Sequence, residues 1–252
     1  MNDKPSRIAL VTGASTGIGR AIALALGAAG FDLAVTDLDA AWLTELAADP
    51  DLAGRKVVPI ALELRSESSI AQAVEHAADK LGPIDLLVNN AGRALQQPAT
   101  DVTWAEWNDV IDINLKGSFF LSTAFARHCI AGRRAGAVVS MASTHGLTGI
   151  AGRSVYGISK AGLIQMTRML AIEWIGHNIR VNAVAPATVL TASRAKMYDD
   201  QTRARMLARI PSGRFITPEE VGAFVAFVAS PLAAATNGAA LRVDGGVLKG
   251  AY

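Results

Sequence analysis

Short apolar runs rich in β-branched residues recur along the chain at Ile8 to Thr12, Asp32 to Thr36, Lys56 to Leu62, Ile84 to Asn89, Ala137 to Met141, Arg180 to Ala185 and Ala240 to Val243. Their hydrophobicity is nearly continuous rather than alternating, as expected of strands covered on both faces. Between them, apolar positions fall into helical spacing over Gly19 to Ala29, Asp39 to Ala48, Ser68 to Leu81, Thr103 to Asn114 continuing to Arg133, Tyr156 to Ile175, and Pro218 to Ala229. Strand and helix alternate to the end with no linker or internal repeat. The pattern therefore predicts an α/β fold: one doubly wound domain over 1–252 with a parallel sheet of about seven strands. Only Thr188 to Arg214 combines mixed charge with weak periodicity, so 188–214 is expected to be an insertion that covers a substrate.

Composition narrows the partners. With 252 residues and 51% hydrophobic side chains the chain can fill one large core. A net charge of +2, from 24 basic and 22 acidic residues, creates no field that would draw nucleic acid or an anionic membrane. The single cysteine, Cys129, has no internal partner, and His76, His128, His145 and His177 lack metal-ligand spacing, so no metal is expected. No apolar run reaches the roughly 18 residues of a membrane span, and none near the N-terminus resembles a signal peptide. These features predict a cytoplasmic protein that takes a small-molecule substrate.

The run Thr12-Gly13-Ala14-Ser15-Thr16-Gly17-Ile18-Gly19 leaves the first strand and opens the first helix. Glycines there permit a tight turn and close backbone approach, and the helix N-terminus offers unpaired N–H groups to a pyrophosphate. The spacing is G-x-x-x-G-x-G, and glycines also simply end strands. The placement nonetheless points to a dinucleotide, and the fold to a Rossmann-type domain.

Tyr156-Gly157-Ile158-Ser159-Lys160 begins a helix, where a spacing of four puts tyrosine and lysine on one face. A phenol with a reference pKa of about 10 needs neighbouring positive charge to act as a base near neutrality. Lysine and an oxidised nicotinamide would both supply it. Ser143 lies just beyond the strand Ala137 to Met141, at the carboxyl edge where open α/β sheets hold ligands, and its hydroxyl is placed to orient a substrate oxygen. Taken singly, the same residues also suit ordinary packing or a turn.

Together these motifs resemble the short-chain dehydrogenase/reductase (SDR) family, over about Arg7 to Gly246. Thr12 to Gly19 matches the family's cofactor loop and Asn89-Asn90-Ala91-Gly92 its motif after the fourth strand. Asn114, Ser143, Tyr156 and Lys160 fall on its catalytic tetrad. The resemblance implies that Tyr156 is the general acid/base, that Ser143 positions the substrate oxygen, and that Lys160 binds the nicotinamide ribose while lowering the tyrosine pKa. It implies that Asn114 supports a water in a proton relay. Gly13, Ser15, Thr16, Gly17, Ile18 and Gly19 would hold the cofactor, with Asn90, Ala91 and Gly92 lining its site. Glu63 would meet the adenine and Leu64 flank it. Pro186, Val189 and Thr191 align with the segment against the nicotinamide, where Ala187 stands in place of the family's usual glycine.

The expected cofactor is NAD (NADH). Asp37 ends the second apolar run at the spacing from Gly19 where a carboxylate reaches the adenosine ribose. It would repel the 2′-phosphate of NADP. Thr16 and Leu38 occupy the places where NADP-preferring relatives carry basic residues, and Arg20 is expected to cap or solvate its helix. Asp37 also has a plainer reading, as a turn or helix-cap aspartate.

The expected activity is hydride exchange between nicotinamide and a secondary alcohol, on a sugar or polyol because Gln96, His145 and Arg153 border the site together with Ser143 and Tyr156. Arg194, Lys196, Arg203, Arg205, Arg209 and Arg214 make the insertion basic, which keeps a 3-oxoacyl thioester reductase in view. A non-catalytic dinucleotide-binding redox sensor or scaffold is the alternative outside enzymology. The resemblance also implies a homotetramer of 222 symmetry, and Gly157, Ala161 and Gly162 on the catalytic helix would suit close packing between helices.

Overall fold

The computed structural model describes residues 6–196 and 198–248; the ends of the expected 1–252 domain and Met197 of the insertion lie outside them. Seven parallel strands form one sheet: β1 (Arg7–Thr12), β2 (Phe31–Asp37), β3 (Val57–Ala61), β4 (Leu86–Asn89), β5 (Gly136–Met141), β6 (Ile179–Pro186) and β7 (Ala240–Val243). Their order is β3-β2-β1-β4-β5-β6-β7. The sheet is doubly wound, and the direction of winding reverses between β1 and β4.

The continuous hydrophobicity of the strands has the expected cause. In β1, Ile8 and Leu10 enter one apolar cluster and Ala9 and Val11 the other, because successive side chains point to opposite faces. Helices α1 (Gly17–Ala28) and α9 (Pro218–Ala229) cover one face through Ile22, Leu26, Val221 and Val225. On the other face lie α3 (Glu67–Leu81), α5 (Ser118–Ala131) and α6 (Ser154–Trp174), through Ile70, Val74, Leu121, Phe125, Leu163 and Leu170.

Two expected helices differ in detail. Asp39 to Ala48 breaks into a 3-10 turn over Ala40–Leu43 and the single turn α2 (Thr44–Ala47). Asp39 accepts the Ala41 amide and so caps the first piece. The helix that begins at Thr103 is continuous, but it runs as α4 (Trp104–Ile111), a π-helical turn over Asp112–Gly117, and α5. Thr103 and Glu106 form a reciprocal capping box at its start. The wide turn contains Asn114, and such turns concentrate at functional sites. The segment 188–214 carries α7 (Ala192–Ala195) and α8 (Asp200–Leu207). Among the described residues no helix is long and apolar enough to cross a membrane.

Candidate active site

The glycine loop lies at the carboxyl end of β1, at the switch point of the sheet. Gly13 has φ +63°, and a Cβ there would approach the Ala91 Cα to 2.9 Å. A Cβ at Gly19 would fall on the Gly13 carbonyl oxygen. Both positions therefore require glycine to let the loop fold over β4. The Thr12 hydroxyl accepts the Asn90 and Ala91 amides, each at 3.0 Å. Asn90 Nδ2 donates to the Thr12 and Gly13 carbonyls at 2.9 and 3.0 Å. The Asn90 amide thus fastens the loop from below. Thr12 is a positioning residue that the sequence motif contains without revealing its role.

A cavity of about 490 Å³ runs over this loop, lined by Gly13, Ser15, Thr16, Asp37, Glu63 and Asn90 among others. Asp37 Oδ2 accepts the Ser15 hydroxyl at 2.6 Å and Oδ1 accepts the Leu38 amide at 2.9 Å. Leu64 is buried in the core while bordering the cavity. Glu63 lines the cavity, and its carboxylate takes Arg65 through Nε at 3.1 Å and Nη2 at 2.8 Å. That pairing, above all the hydrogen bonds from Arg65, holds its pKa below the usual carboxylate value. Asp109 then bridges Arg65 and Arg93, each at 2.8 Å. Arg65 and Arg93 are additions to the cavity wall, joined by Asp109, that no local motif signals, because the three meet only in three dimensions. Arg20 pairs with Asp49, which corrects the expectation that it caps or solvates its helix.

The glycine cradle, the carboxylate at the end of β2 and the elongated cavity fit a dinucleotide. Ile18, the second residue of α1, also packs against the core. Thr191 caps α7, and its Cγ2 lies 3.3 Å from where a Gly17 Cβ would stand, so the insertion begins against the glycine loop. Val189 is 1% exposed and bridges to Ile216. Its side chain belongs to the core, leaving the backbone as the part a cofactor could meet. Ala187 extends the sheet ladder by donating to the Val243 carbonyl at 3.0 Å, and it is not among the residues with positive φ. The missing glycine therefore imposes no strain at this position.

Ser143, Tyr156, Lys160 and Asn114 converge beside the cavity. Ser143 follows β5, is 7% exposed, and its Oγ accepts the His145 amide at 3.2 Å. The His145 ring meets Tyr156 edge-on, with centroids 5.7 Å apart. Lys160 is buried, and its Nζ donates to the Met141 carbonyl at 2.7 Å. This nitrogen stands 5.6 Å from the Tyr156 ring centroid and 3.5 Å from where a Gly92 Cβ would be. Asn114 Nδ2 donates to the Arg93 carbonyl and to Ser159 Oγ, at 2.9 and 3.0 Å, while its Oδ1 accepts the Arg93 amide at 2.7 Å.

Burial dominates the electrostatics. It pushes the Lys160 ammonium down to about 8. It pushes the Tyr156 phenol up, against the pull of the Ser143 hydroxyl and of the Arg194 and Arg153 guanidiniums. In the protein alone the downward pull on Tyr156 comes from Ser143, Arg194 and Arg153, and the Lys160 ammonium stands over the tyrosine ring, 5.6 Å from its centroid. Burial, then Arg153 and Arg194, hold His145 below its ordinary value, so its imidazole is neutral at pH 7. Gln96 accepts Arg153 Nη2 at 2.6 Å. With His145, Arg153 lines a second cavity of about 390 Å³ beside the tyrosine.

Two small residues of α6 are used inside the subunit: a Cβ at Gly162 would come within 2.7 Å of Leu115, and one at Gly157 within 3.0 Å of the His145 carbonyl. Ala161 is exposed.

Comparison with known proteins agrees with this geometry. The family described as Enoyl-(Acyl carrier protein) reductase matches residues 13–248. The chain is 35% identical over 96% of its length to 95% of a 2-dehydro-3-deoxy-D-gluconate 5-dehydrogenase of Escherichia coli (strain K12). It is 36% identical over 96% of its length to 98% of a 3-oxoacyl-[acyl-carrier-protein] reductase of Thermotoga maritima. A crystal structure from Beutenbergia cavernae, described as an NAD(P) dependent gluconate 5-dehydrogenase with bound NADP at low occupancy, superposes with a TM-score of 0.90 at 35% identity, covering 98% of each chain.

Proposed function

The chain belongs to the short-chain dehydrogenase/reductase family of oxidoreductases that act on CH–OH groups, and from that premise we propose that it is an NAD-dependent dehydrogenase of a secondary alcohol on a sugar or polyol. The observation that carries the reading is the convergence of Ser143, Tyr156 and Lys160 beside a glycine-lined cavity that ends at Asp37. The sugar class is supported by the neutral, hydrogen-bonding His145 beside Tyr156, and by the names of the E. coli and B. cavernae relatives.

In this reading Ser143 Oγ holds the substrate oxygen and the Tyr156 phenolate takes the hydroxyl proton as hydride leaves the same carbon; in reduction Tyr156 returns it. When bound, the nicotinamide supplies the hydride acceptor or donor and, when oxidised, a positive charge that favours phenolate. Lys160, fixed by the Met141 carbonyl near Gly92, would hold the nicotinamide ribose. With its pKa at about 8 it can exchange a proton within the working range. Both Asn114 Nδ2 hydrogens are engaged, so a relay water at this position would have to donate to one of the asparagine's oxygens. The segment 188–214, whose base touches the glycine loop, is assigned as the lid.

The test is initial rates with NAD and NADP across sugars, alditols, hydroxy acids and a 3-oxoacyl thioester. NAD-linked oxidation of a sugar-class alcohol is expected. Preferred reduction of the thioester would favour the second reading, for which the family description and the T. maritima relative speak. Tight NADH binding without turnover of any substrate would favour a sensor or scaffold.

We assign the assembly as a homotetramer. Apolar side chains left in water on α5 and α6, among them Phe120 (47% exposed), Met169 (50%) and Ile172 (75%), support subunit contact there. A stable 26.3 kDa particle in light scattering would refute the assembly without touching the chemistry.

A further inference from the structure

Of the four tryptophans in the chain, Trp42 alone borders the cavity over the glycine loop. Trp104 and Trp107 line a separate groove between α4 and α6, and Trp174 is buried in the core. Trp42 is 56% exposed, which by itself is ordinary for a single apolar side chain. What sets it apart is how firmly it is held at the wall. The 3-10 turn Ala40–Leu43 is capped by Asp39, which accepts the Ala41 amide at 2.9 Å. The Trp42 amide donates to the Asp39 carbonyl at 3.2 Å, and Thr44 Oγ1 donates to the Ala41 carbonyl at 2.9 Å. Leu43, the next residue, is wholly buried and anchors the turn to the core. A fixed backbone therefore carries Trp42 at the cavity.

The cavity follows the carboxyl edge of the sheet from β1 outwards to β3. Gly13, Ser15 and Thr16 line it after β1, Asp37 at the end of β2, and Glu63 and Leu64 after β3. The Leu62 amide donates to the Asp37 carbonyl at 2.8 Å, so the last two stretches run side by side. A dinucleotide with its pyrophosphate on the loop and its adenosine ribose at Asp37 would carry its base on towards β3, where Trp42, Leu64 and Arg65 border the space. The edge of the base meets competition there. The Glu63 carboxylate already accepts the Arg65 amide, Nε and Nη2, at 2.9, 3.1 and 2.8 Å. Its face is what an aromatic side chain can hold, whatever the pattern of donors and acceptors on the edge.

Resting on the reading of the cavity as a dinucleotide site, we propose that Trp42 is the stacking wall for the cofactor's adenine and a determinant of cofactor affinity. An indole has few side-chain torsions to freeze, and its turn is already fixed, so little freedom is lost when the base settles on it. The contact recognises the face of a purine and tolerates changes at its edge. Covering the indole also makes Trp42 a reporter of binding, because the other tryptophans do not border the cavity.

The experiment titrates the full-length protein with ADP-ribose, which carries the adenosine half of the cofactor without the nicotinamide. Tryptophan fluorescence reports the stack, and calorimetry measures affinity independently. Saturation should quench the fluorescence of the parent and of Trp104→Phe, and the quench should be absent in Trp42→Leu at saturation. Trp42→Ala should raise the Kd of ADP-ribose and of NADH about tenfold, whereas Trp42→Phe, which keeps an aromatic face, should raise it less than about threefold. The reduced nicotinamide hypoxanthine dinucleotide, whose base keeps its face and changes its edge, should lose about as much affinity in Trp42→Ala as NADH does. Equal affinity in the parent and Trp42→Ala, a quench that persists in Trp42→Leu, or a loss confined to the adenine cofactor would overturn the stacking wall and leave the dinucleotide site standing. Failure of the parent to bind either ADP-ribose or NADH would overturn both.

Discussion

The Asp37 carboxylate is pinned from two sides, by the Ser15 hydroxyl on Oδ2 and by the Leu38 amide on Oδ1, so a fixed negative charge closes the glycine loop at the end of β2. An NAD ribose would meet an acceptor there, and the 2′-phosphate of NADP would meet like charge.

Replacing Asp37 with alanine should therefore narrow the NAD-to-NADP ratio of kcat/KM by at least about tenfold, equivalent to roughly 1.4 kcal/mol of lost discrimination. Steady-state kinetics with both cofactors check this. A wild-type enzyme that uses both equally would remove the role assigned to Asp37.

Tyr156→Phe deletes one oxygen and little packing. Turnover should fall at least about a hundredfold, the low end of what a positioned acid/base supplies, with NADH affinity nearly intact. Activity within a few fold of the parent would place the proton on another group.

Much of this site is legible in the chain because it is local. The turn from β1 into α1 and the helical spacing of Tyr156 and Lys160 are properties of short segments, and the hydrophobic runs mark every strand. What escapes the sequence is what distant segments do to each other. Glu63 reads as an open acceptor until Arg65 and Asp109 are seen beside it. Val189 gives no sign in the chain of its bridge to Ile216 or of the burial of its side chain. The widening of the helix around Asn114 has no signature in side-chain periodicity, because one π-helical turn barely shifts the apolar face. Gly157 and Gly162 show a different limit: smallness is visible in the chain, but the neighbour it admits is not.

Asn114 is wholly buried and joins Arg93 to Ser159. Asn114→Leu strands the Arg93 amide, and unfolding in urea should show a loss of about 1–3 kcal/mol, as for a buried group left unpaired. Unchanged stability would mean that the wide turn holds itself without this side chain.

A final prediction concerns acid. The Ile84 amide donates to His128 Nε2 at 3.2 Å, just ahead of β4, which requires that nitrogen to be unprotonated. Burial, then the Arg134 guanidinium, push the His128 pKa below its ordinary 6.5, with Asp85 pulling the other way. The unfolded chain thus binds the proton more readily than the folded one. Stability from this group is fully present above about 6.5, the unfolded value, and is lost as pH falls through the lower folded value. His145 shifts in the same direction and adds to the slope, so the two must be separated by mutation. In His128→Gln the side-chain carbonyl can accept the same amide at any pH. Urea unfolding at pH 7.5 and 5.5 should show a fall in the parent and a smaller fall in this variant. The difference should be on the order of 1 kcal/mol, the scale of one hydrogen bond. Identical losses in both proteins would locate the acid sensitivity elsewhere, with His145→Gln the next variant to measure.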